Sequence, residues 1–231
     1  MKRQDYVKKL FSHLAPDYDR LNSIISLGRA RRWRKFTIQK AELRDDAVVL
    51  DLCTGTADFA LEAAKQSEKI KVIGLDFCQE MLDVGREKVA QLGLDQQIEL
   101  RWADVSDLPF PDNTFDVITM GFGLRHVKIP DIFFEIRRVL KPGGRFATLD
   151  TGRPERMIIR AFHCLYFYHL MPCLGWIFHG DKKPYAYLAD SLDLYLPPQA
   201  VLAEMIRQTG FRQVEYFNLF FGAVAVHVAV K

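Results

Sequence analysis

The stretch that decides the fold is Val48-Val49-Leu50-Asp51-Leu52-Cys53-Thr54-Gly55-Thr56-Ala57-Asp58, in which an apolar run ends in an acid and a turn of small residues follows. The apolar run predicts a buried strand, and the small residues predict a tight turn into a helix. A second apolar run, Val72-Ile73-Gly74-Leu75, also ends in an acid, Asp76. Because the carboxyl ends of parallel strands meet at one edge of a sheet, we expect Asp51 and Asp76 to frame a single crevice.

This crevice suits a nucleotide cofactor, because an acid that closes the second strand can accept both hydroxyls of a ribose. Dinucleotide enzymes carry three glycines in G-x-G-x-x-G, whereas the turn here offers a single glycine, Gly55, between Cys53 and Ala57. The pattern therefore favours S-adenosylmethionine, which has no pyrophosphate and carries a sulfonium cation. An ordinary strand-turn-helix, capped by Thr54, Thr56 or Asp58, is the alternative that the pattern leaves open.

Strands and helices alternate through the rest of the core. Strands are expected near residues 47–52, 71–76, 97–102, 115–121 and 145–150, and Lys141-Pro142-Gly143-Gly144 is expected to end the helix before the fifth strand. Residues 5–45 and 199–209 show helical spacing, and 213–230 contain two strand-like runs joined near Gly222. The chain is predicted to be α/β, with a doubly wound, mostly parallel seven-stranded sheet of the Rossmann-like kind whose last strands form an antiparallel edge.

The domain prediction is a single domain over residues 1–231. It divides into a helical N-terminal segment (1–45), a cofactor-binding core (46–150), an aromatic helical lid insertion (153–193) and a C-terminal helix with strands (194–231). The apolar tract from Met157 to Phe178 is long enough to span a bilayer, but it contains Arg160 and Pro172, so we expect it to be helical and buried or interfacial.

Composition limits the partners and the compartment. The net charge of +3 is too small to indicate nucleic acid, although Arg29, Arg31, Arg32, Arg34 and Lys35 surround Trp33. The four cysteines form no C-x-x-C pair, and no secretory signal precedes the core, so reduced thiols and a cytoplasmic location are expected. The histidines show no ligand spacing, so we expect no metal.

Two further segments carry polar groups toward the same edge. Asp104 follows the third strand and is a candidate for the adenine amino group, with a simple turn role as the alternative. The loop after the fourth strand reads Gly121-Phe122-Gly123-Leu124-Arg125-His126-Val127, and its glycines would let the backbone approach a ligand closely.

At this point the chain resembles the ubiquinone/menaquinone biosynthesis C-methyltransferase family, within the class I S-adenosylmethionine-dependent methyltransferases. The resemblance spans nearly the whole length. Its family-specific pieces are Tyr18-Asp19-Arg20-Leu21-Asn22 and Phe122-Gly123-Leu124-Arg125, while Leu108 to Asp116 and Arg138 to Arg145 are common to many methyltransferases.

The resemblance implies a cofactor site lined by Thr56, Asp76, Asp104, Val105 and Gly121, with Asp51 and Gly55 shaping the turn. It also implies methyl transfer to a ring carbon of a prenylated quinol, with demethylmenaquinol converted to menaquinol as the expected reaction. We expect peripheral contact with the inner face of the cell membrane and no nucleic-acid partner, and a homo-oligomer is left open.

Removing the proton of a quinol hydroxyl makes the neighbouring ring carbon nucleophilic, so the enzyme needs a base and a group that stabilises phenolate. Arg125 cannot accept a proton at neutral pH, but it can hold the phenolate or orient a water, and a histidine such as His126 can act as the base. We therefore predict Arg125 and His126 as catalytic residues. A salt-bridge role for Arg125 and a capping or buried role for His126 are the structural alternatives.

The chain departs from the family pattern at several positions. Ala57 stands where the family has Gly, which is acceptable if its backbone is helical, and His126 stands where the family has Asn. A small polar residue is usual near Gly121, and Glu-Phe-Ser is usual where Asp150-Thr151-Gly152 stands. These departures keep two alternatives open: a C- or O-methyltransferase for another apolar molecule, and a non-catalytic cofactor- or lipid-binding module. The basic cluster from Arg29 to Lys35 keeps a third alternative open, an RNA methyltransferase or RNA-binding protein.

Overall fold

The computed structural model describes residues 3–170 and 196–231. The N-terminal segment is helical, as predicted, with α1 at Arg3–Leu14, a 3-10 turn at Ala15–Asp17, α2 at Tyr18–Ile25 and α3 at Ala30–Ala41. The apolar side chains of Leu10, Leu14 and Leu21 pack together, so α1 and α2 share a small core. Gly28 has a φ of 72°, which confirms the turn predicted between α2 and α3.

The centre of the fold is a seven-stranded sheet in the order β3-β2-β1-β4-β5-β7-β6. The strands are β1 Val48–Leu52, β2 Lys71–Asp76, β3 Ile98–Trp102, β4 Phe115–Gly121, β5 Leu140–Thr151, β6 Arg212–Leu219 and β7 Val224–Val230. β1 to β5 are joined by parallel pairings, and β7 runs antiparallel to both β5 and β6. The predicted doubly wound sheet with an antiparallel edge is therefore confirmed.

Helices cover both faces of this sheet. They are α4 Asp58–Ala64, α5 Gln79–Gln91, α6 Asp131–Val139 and α8 Gln199–Gln208, together with α3. Val49 packs with α3, α4 and α5, whereas the next residue, Leu50, packs with α6 and α8. Successive strand residues point to opposite faces, so a strand buried on both faces has the continuous apolar run seen in the sequence.

The order of strands reverses next to β1, which has β2 on one side and β4 on the other. In sheets of this kind the crevice outside the carboxyl ends of the strands at such a point holds the ligand. The segments that follow β1, β2 and β4 are therefore the ones that can build a site.

The start of β5 differs from the prediction. The strand begins at Leu140, directly after α6, so Lys141-Pro142-Gly143-Gly144 lies inside the strand and does not separate the two elements. Phe115 pairs with Leu140, but Val117 already pairs with Arg145, so the extra residues form a bulge. Gly143 has a φ of 75° there, a conformation that glycine adopts without strain.

The predicted lid is described only in part. α7 spans Met157–Leu165 and continues into a π-helical turn at Tyr166–Leu170, so the described part of the lid is helical. The hydroxyl of Tyr166 donates a hydrogen bond of 2.8 Å to the carbonyl of Ile25, which joins this segment to α2. The remainder of 153–193, and of the tract from Met157 to Phe178, lies outside the described residues. None of the helices that the structure describes is both long enough and apolar enough to cross a membrane.

Candidate active site

Asp51 closes β1 and supports the turn that follows it. Its carboxylate is 1% exposed and accepts hydrogen bonds from the hydroxyls of Thr54 at 2.6 Å and Thr119 at 2.7 Å. Burial raises the pKa of Asp51 to about 7, although these hydrogen bonds favour the charged form. Asp51 therefore holds β1, the turn that follows it and β4 together.

Asp76 closes β2 and meets the same turn. It accepts hydrogen bonds from the backbone N–H of Gly55 at 2.8 Å and of Cys78 at 2.9 Å. Burial raises the pKa of Asp76, while the backbone donors oppose that change. The structure thus brings Asp51, Gly55 and Asp76 together at the predicted crevice.

The turn itself is more strained than the sequence suggests. Ala57 has φ 66° and ψ 19°, which is left-handed, so the helical backbone that would make alanine acceptable at this position is not present. Gly55 has a φ of 54° in the same turn. The left-handed conformation costs an alanine about 1 kcal/mol because its Cβ crowds the neighbouring carbonyl. No side chain caps α4 at Ala57, so the capped strand-turn-helix alternative does not describe this turn.

The other predicted cofactor residues lie around this centre. Thr56 is buried, whereas Asp104 is exposed and accepts a hydrogen bond of 2.9 Å from the N–H of Ser106, which is the turn role named as its alternative. Val105 is buried in the apolar core. A Cβ at Gly121 would lie 2.3 Å from the ring of Phe59, so close packing is one reason for this glycine.

Thr56 also anchors the N-terminal helices. Its hydroxyl donates to the carboxylate of Asp19 on α2 at 2.6 Å. Lys88 on α5 contacts Asp19 at 2.6 Å and Asp58 at 2.7 Å, and Arg34 on α3 contacts Asp58 at 2.9 Å. Four helices are therefore joined by charged contacts beside the turn, and the sequence pattern did not identify this cluster.

Arg125 and Asp150 form a buried ion pair on the other side of the crevice. The Arg125 Nη2 atom lies 3.7 Å from Asp150 Oδ1, and the two side chains are 6% and 4% exposed. Burial raises the pKa of Asp150, and the charge of Arg125 opposes that change. Asp150 follows the same rule as Asp51 and Asp76, an acid at the end of a parallel strand, and that rule would have identified it.

Arg125 and His126 both line a cavity of about 500 Å³. Tyr18 and Asn22 on α2 also line it, and Phe11 on α1 meets the His126 ring edge-to-face at 5.3 Å. The rest of the lining is mainly apolar and comes chiefly from α1, α2, α3, α7, the turn after α7 and the segment before β7. It includes Leu10, Leu14, Leu21, Ile25, Trp33, Ile159, Phe162, Tyr166, Phe220 and Phe221. The cavity can hold a large apolar molecule with its polar groups directed at Arg125 and His126.

Tyr18 connects this cavity to the cofactor turn. Its Cε1 atom lies 4.0 Å from the position that a Cβ at Gly55 would take. Burial raises the pKa of Tyr18, against a hydrogen bond with Asn22 and the charge of Arg125. Tyr18 and Asn22 belong to the family-specific N-terminal motif, yet their position at the cavity was not predicted.

Solved structures with this fold include a SAM-dependent methyltransferase from Aquifex aeolicus, with a TM-score of 0.65, 21% identity and coverage of 92% of this chain and 97% of that one. The [4+2]-cyclase SpnF has a TM-score of 0.72 at 18% identity and covers 97% of this chain and 95% of its own. At these identities the comparison shows the fold alone, and the names of the two proteins refer to different reactions.

Comparison with curated protein sequences identifies the family of this chain. Demethylmenaquinone methyltransferase from Lactiplantibacillus plantarum is 42% identical over 229 residues, which is 97% of this chain and 95% of that protein. The protein of the same name from Listeria monocytogenes is 40% identical over 233 residues, 99% of this chain and 97% of that protein. The ubiE/COQ5 methyltransferase family matches residues 1–231. The chain therefore belongs to the ubiE/COQ5 methyltransferase family, which confirms the family, the methyltransferase class and the S-adenosylmethionine cofactor predicted from its sequence.

Proposed function

We propose that this protein methylates a ring carbon of a prenylated naphthoquinol and converts demethylmenaquinol to menaquinol. The observation that carries the proposal is the apolar cavity of about 500 Å³ that has Arg125, His126, Tyr18 and Asn22 among its lining. A quinol ring with an isoprenoid tail has this distribution of polarity. Relatives at 38–42% identity that carry the name demethylmenaquinone methyltransferase support the same substrate.

The residues at the strand ends fit the cofactor. Asp76 already accepts two backbone hydrogen bonds, but a carboxylate has about four acceptor positions, so it retains capacity for ribose hydroxyls. Asp104 is exposed at the end of β3, where it can meet the adenine amino group. Thr56, Val105 and Gly121 would line the site, with Asp51 and Gly55 shaping it.

Within the cavity, His126 accepts the proton of the quinol hydroxyl as general base. Arg125 holds the resulting phenolate charge. S-adenosylmethionine supplies, when bound, a methyl group that is electrophilic because it is attached to a sulfonium. Methyl transfer would place the new carbon–carbon bond on the ring carbon next to the phenolate, with S-adenosylhomocysteine as the leaving group. The proton of that carbon would pass to solvent, which restores the aromatic ring, and protonated His126 would return its proton to the oxygen. The apolar walls exclude water from the cationic methyl donor.

We also propose that the protein docks on an anionic membrane through the face where the cavity opens. Met157, Ile158, Phe162 and Phe221 are 84%, 74%, 67% and 74% exposed, and Phe162 and Phe221 also line the cavity. We call these four residues the docking face.

Basic residues border the docking face. The guanidinium of Arg29 lies 4.8 Å from the ring centre of Phe220, which neighbours Phe221. Arg31, Arg32 and Lys35 follow on α3 and are exposed. Apolar side chains with neighbouring cations match a bilayer that contains anionic lipid. Arg29 contacts the ring of Phe220, and Arg34 pairs with Asp58. These two cations already have partners within the protein, so the basic segment supports an RNA partner less well.

Turnover with defined substrates tests the proposal. Purified protein, S-adenosylmethionine and chemically reduced demethylmenaquinone should yield S-adenosylhomocysteine and menaquinol. Absence of product with every prenyl quinol, despite cofactor binding, would favour the non-catalytic module. Faster methylation of an unrelated apolar phenol would favour the second enzymatic candidate.

A further inference from the structure

We infer that Asp150 is a positioning residue for catalysis, which holds Arg125 and its loop against the substrate cavity. The inference rests on the proposed function, because it assigns Arg125 to the phenolate. Asp150 itself does not line the cavity, whereas Arg125 and Thr151 do. It would therefore act through Arg125.

The hydrogen bonds of Asp150 connect the end of β5 to the loop that carries Arg125. Its Oδ2 atom accepts from the N–H of Leu124, the residue before Arg125, at 3.2 Å. Its Oδ1 atom accepts from the N–H of Thr151 at 2.8 Å and from the Thr151 hydroxyl at 3.2 Å. The N–H of Phe122 also donates to the carbonyl of Leu149 at 2.7 Å. The loop and the strand end therefore form one unit.

The ion pair between Arg125 and Asp150 also holds Arg125 at the cavity. At 3.7 Å, the Arg125–Asp150 contact is longer than a hydrogen bond, so Asp150 balances the buried guanidinium without a bidentate pair. A counter-charge lowers the cost of burying a cation, and removal of that counter-charge favours movement of the cation toward water. Asp150 thus keeps a cation inside a mainly apolar cavity, where a phenolate can meet it.

Four variants test this role. They are Asp150→Asn, Asp150→Glu, Arg125→Gln and the double variant Asp150→Asn/Arg125→Gln. The control is Asp116→Asn, which removes an acid with ion-pair partners Arg44 and Lys141 at the opposite end of the neighbouring strand. Each protein is assayed for kcat and KM with reduced demethylmenaquinone, and for the Kd of S-adenosylmethionine by calorimetry.

We expect Asp150→Asn to lower kcat by about tenfold or more while the cofactor Kd changes by less than about threefold. Asp150→Glu, which retains the charge, should recover part of that loss. If Asp150 acts through Arg125, its substitution changes kcat by less than about twofold once Arg125 is already Gln. Asp116→Asn should leave kcat near the wild-type value.

A wild-type kcat in Asp150→Asn, or the same loss in both the wild-type and the Arg125→Gln backgrounds, would overturn the inference. If Asp150→Asn alone does not fold, the double variant should fold, because it removes both charges; a double variant that also fails to fold overturns the inference. A wild-type protein without turnover would overturn the proposed function and this inference with it, whereas turnover by wild type and Asp150→Asn alike would overturn the inference alone.

Discussion

The hydroxyl of Thr56 in the cofactor turn donates a hydrogen bond of 2.6 Å to the carboxylate of Asp19 on α2. The same carboxylate contacts Lys88 on α5 at 2.6 Å. The helix that supplies Tyr18 and Asn22 to the substrate cavity is therefore attached directly to the turn that would hold the cofactor. In the proposed function, cofactor binding and substrate binding would share this contact.

Asp19→Asn should weaken S-adenosylmethionine binding by about threefold to tenfold, because it removes a charged acceptor from Thr56 and a partner from Lys88. Calorimetry with the purified protein measures the change in Kd. Asp83→Asn is the control, since Asp83 pairs with Arg86 on the surface of α5, the helix that carries Lys88. Equal affinities in Asp19→Asn and wild type would show that the contact does not support the turn.

Asp51 should make the protein less stable as the pH rises. Burial raises its pKa from 3.8 to about 7, so the folded state binds this proton more tightly than the unfolded chain does. The stability that proton binding contributes is complete below pH 3.8 and is lost as the pH rises through about 7. In Asp51→Asn this loss disappears, so the stability of the variant relative to wild type should rise by up to about 4 kcal/mol between pH 4 and pH 7. Urea unfolding of the cofactor-free proteins measures the difference.

Asp116 provides the control with the opposite sign. Burial alone would raise its pKa, but the hydrogen bonds from Lys141 and the N–H of Val48, with the charges of Lys141 and Arg44, hold it below its usual range. Asp116→Asn should therefore lose stability relative to wild type as the pH rises through the usual range of an aspartate. If the stabilities of Asp51→Asn and Asp116→Asn relative to wild type change in the same direction with pH, burial does not raise the pKa of Asp51 as argued.

Ala57→Gly should lower the free energy of unfolding much less than Ala60→Gly does. Glycine relieves the left-handed strain at Ala57, and this offsets the buried methyl group that is lost. Ala60 is also fully buried but lies inside α4, where glycine brings no relief and has low helix propensity. We expect Ala57→Gly to be at least about 1 kcal/mol more stable than Ala60→Gly in urea unfolding. The reverse order would mean that Ala57 is not strained.

Phe221→Glu should reduce binding to vesicles of phosphatidylglycerol and phosphatidylcholine, because it places a negative charge in the docking face. It should also raise KM for a long-tailed quinol more than for a short-tailed one. Phe134→Glu is the matched control, since Phe134 is 55% exposed on α6, which packs on the other face of the sheet. Equal vesicle binding by wild type and Phe221→Glu would exclude this face as the membrane contact.

The positions of the strands and the acids at their ends are predictable from the sequence because these features are local: an apolar run followed by Asp is visible at Asp51 and Asp76 without any knowledge of the rest of the chain. The structure of the described residues, 3–170 and 196–231, also confirms the N-terminal helices and the two strands of the antiparallel edge. These elements are predictable because each has a local sequence pattern.

The features that the sequence does not reveal depend on contacts between distant segments. Gly121 packs against Phe59, and Tyr18 enters the site from a helix that precedes the whole sheet. The left-handed backbone of Ala57 cannot be predicted from a residue type that usually avoids it. The roles of the predicted site residues toward a ligand all stay predictions: Asp51, Gly55, Thr56, Asp76, Asp104, Val105, Gly121, Arg125 and His126.

The most direct measurement of the central claim is the fate of a labelled methyl group. S-adenosylmethionine with an isotopically labelled methyl is incubated with reduced demethylmenaquinone and wild-type protein, and the quinone product is examined by mass spectrometry and NMR. The account predicts one labelled methyl group on a ring carbon, with the yield sharply reduced in His126→Ala and Arg125→Gln. Label on oxygen, or a quinone without label while the protein binds the cofactor, would contradict it.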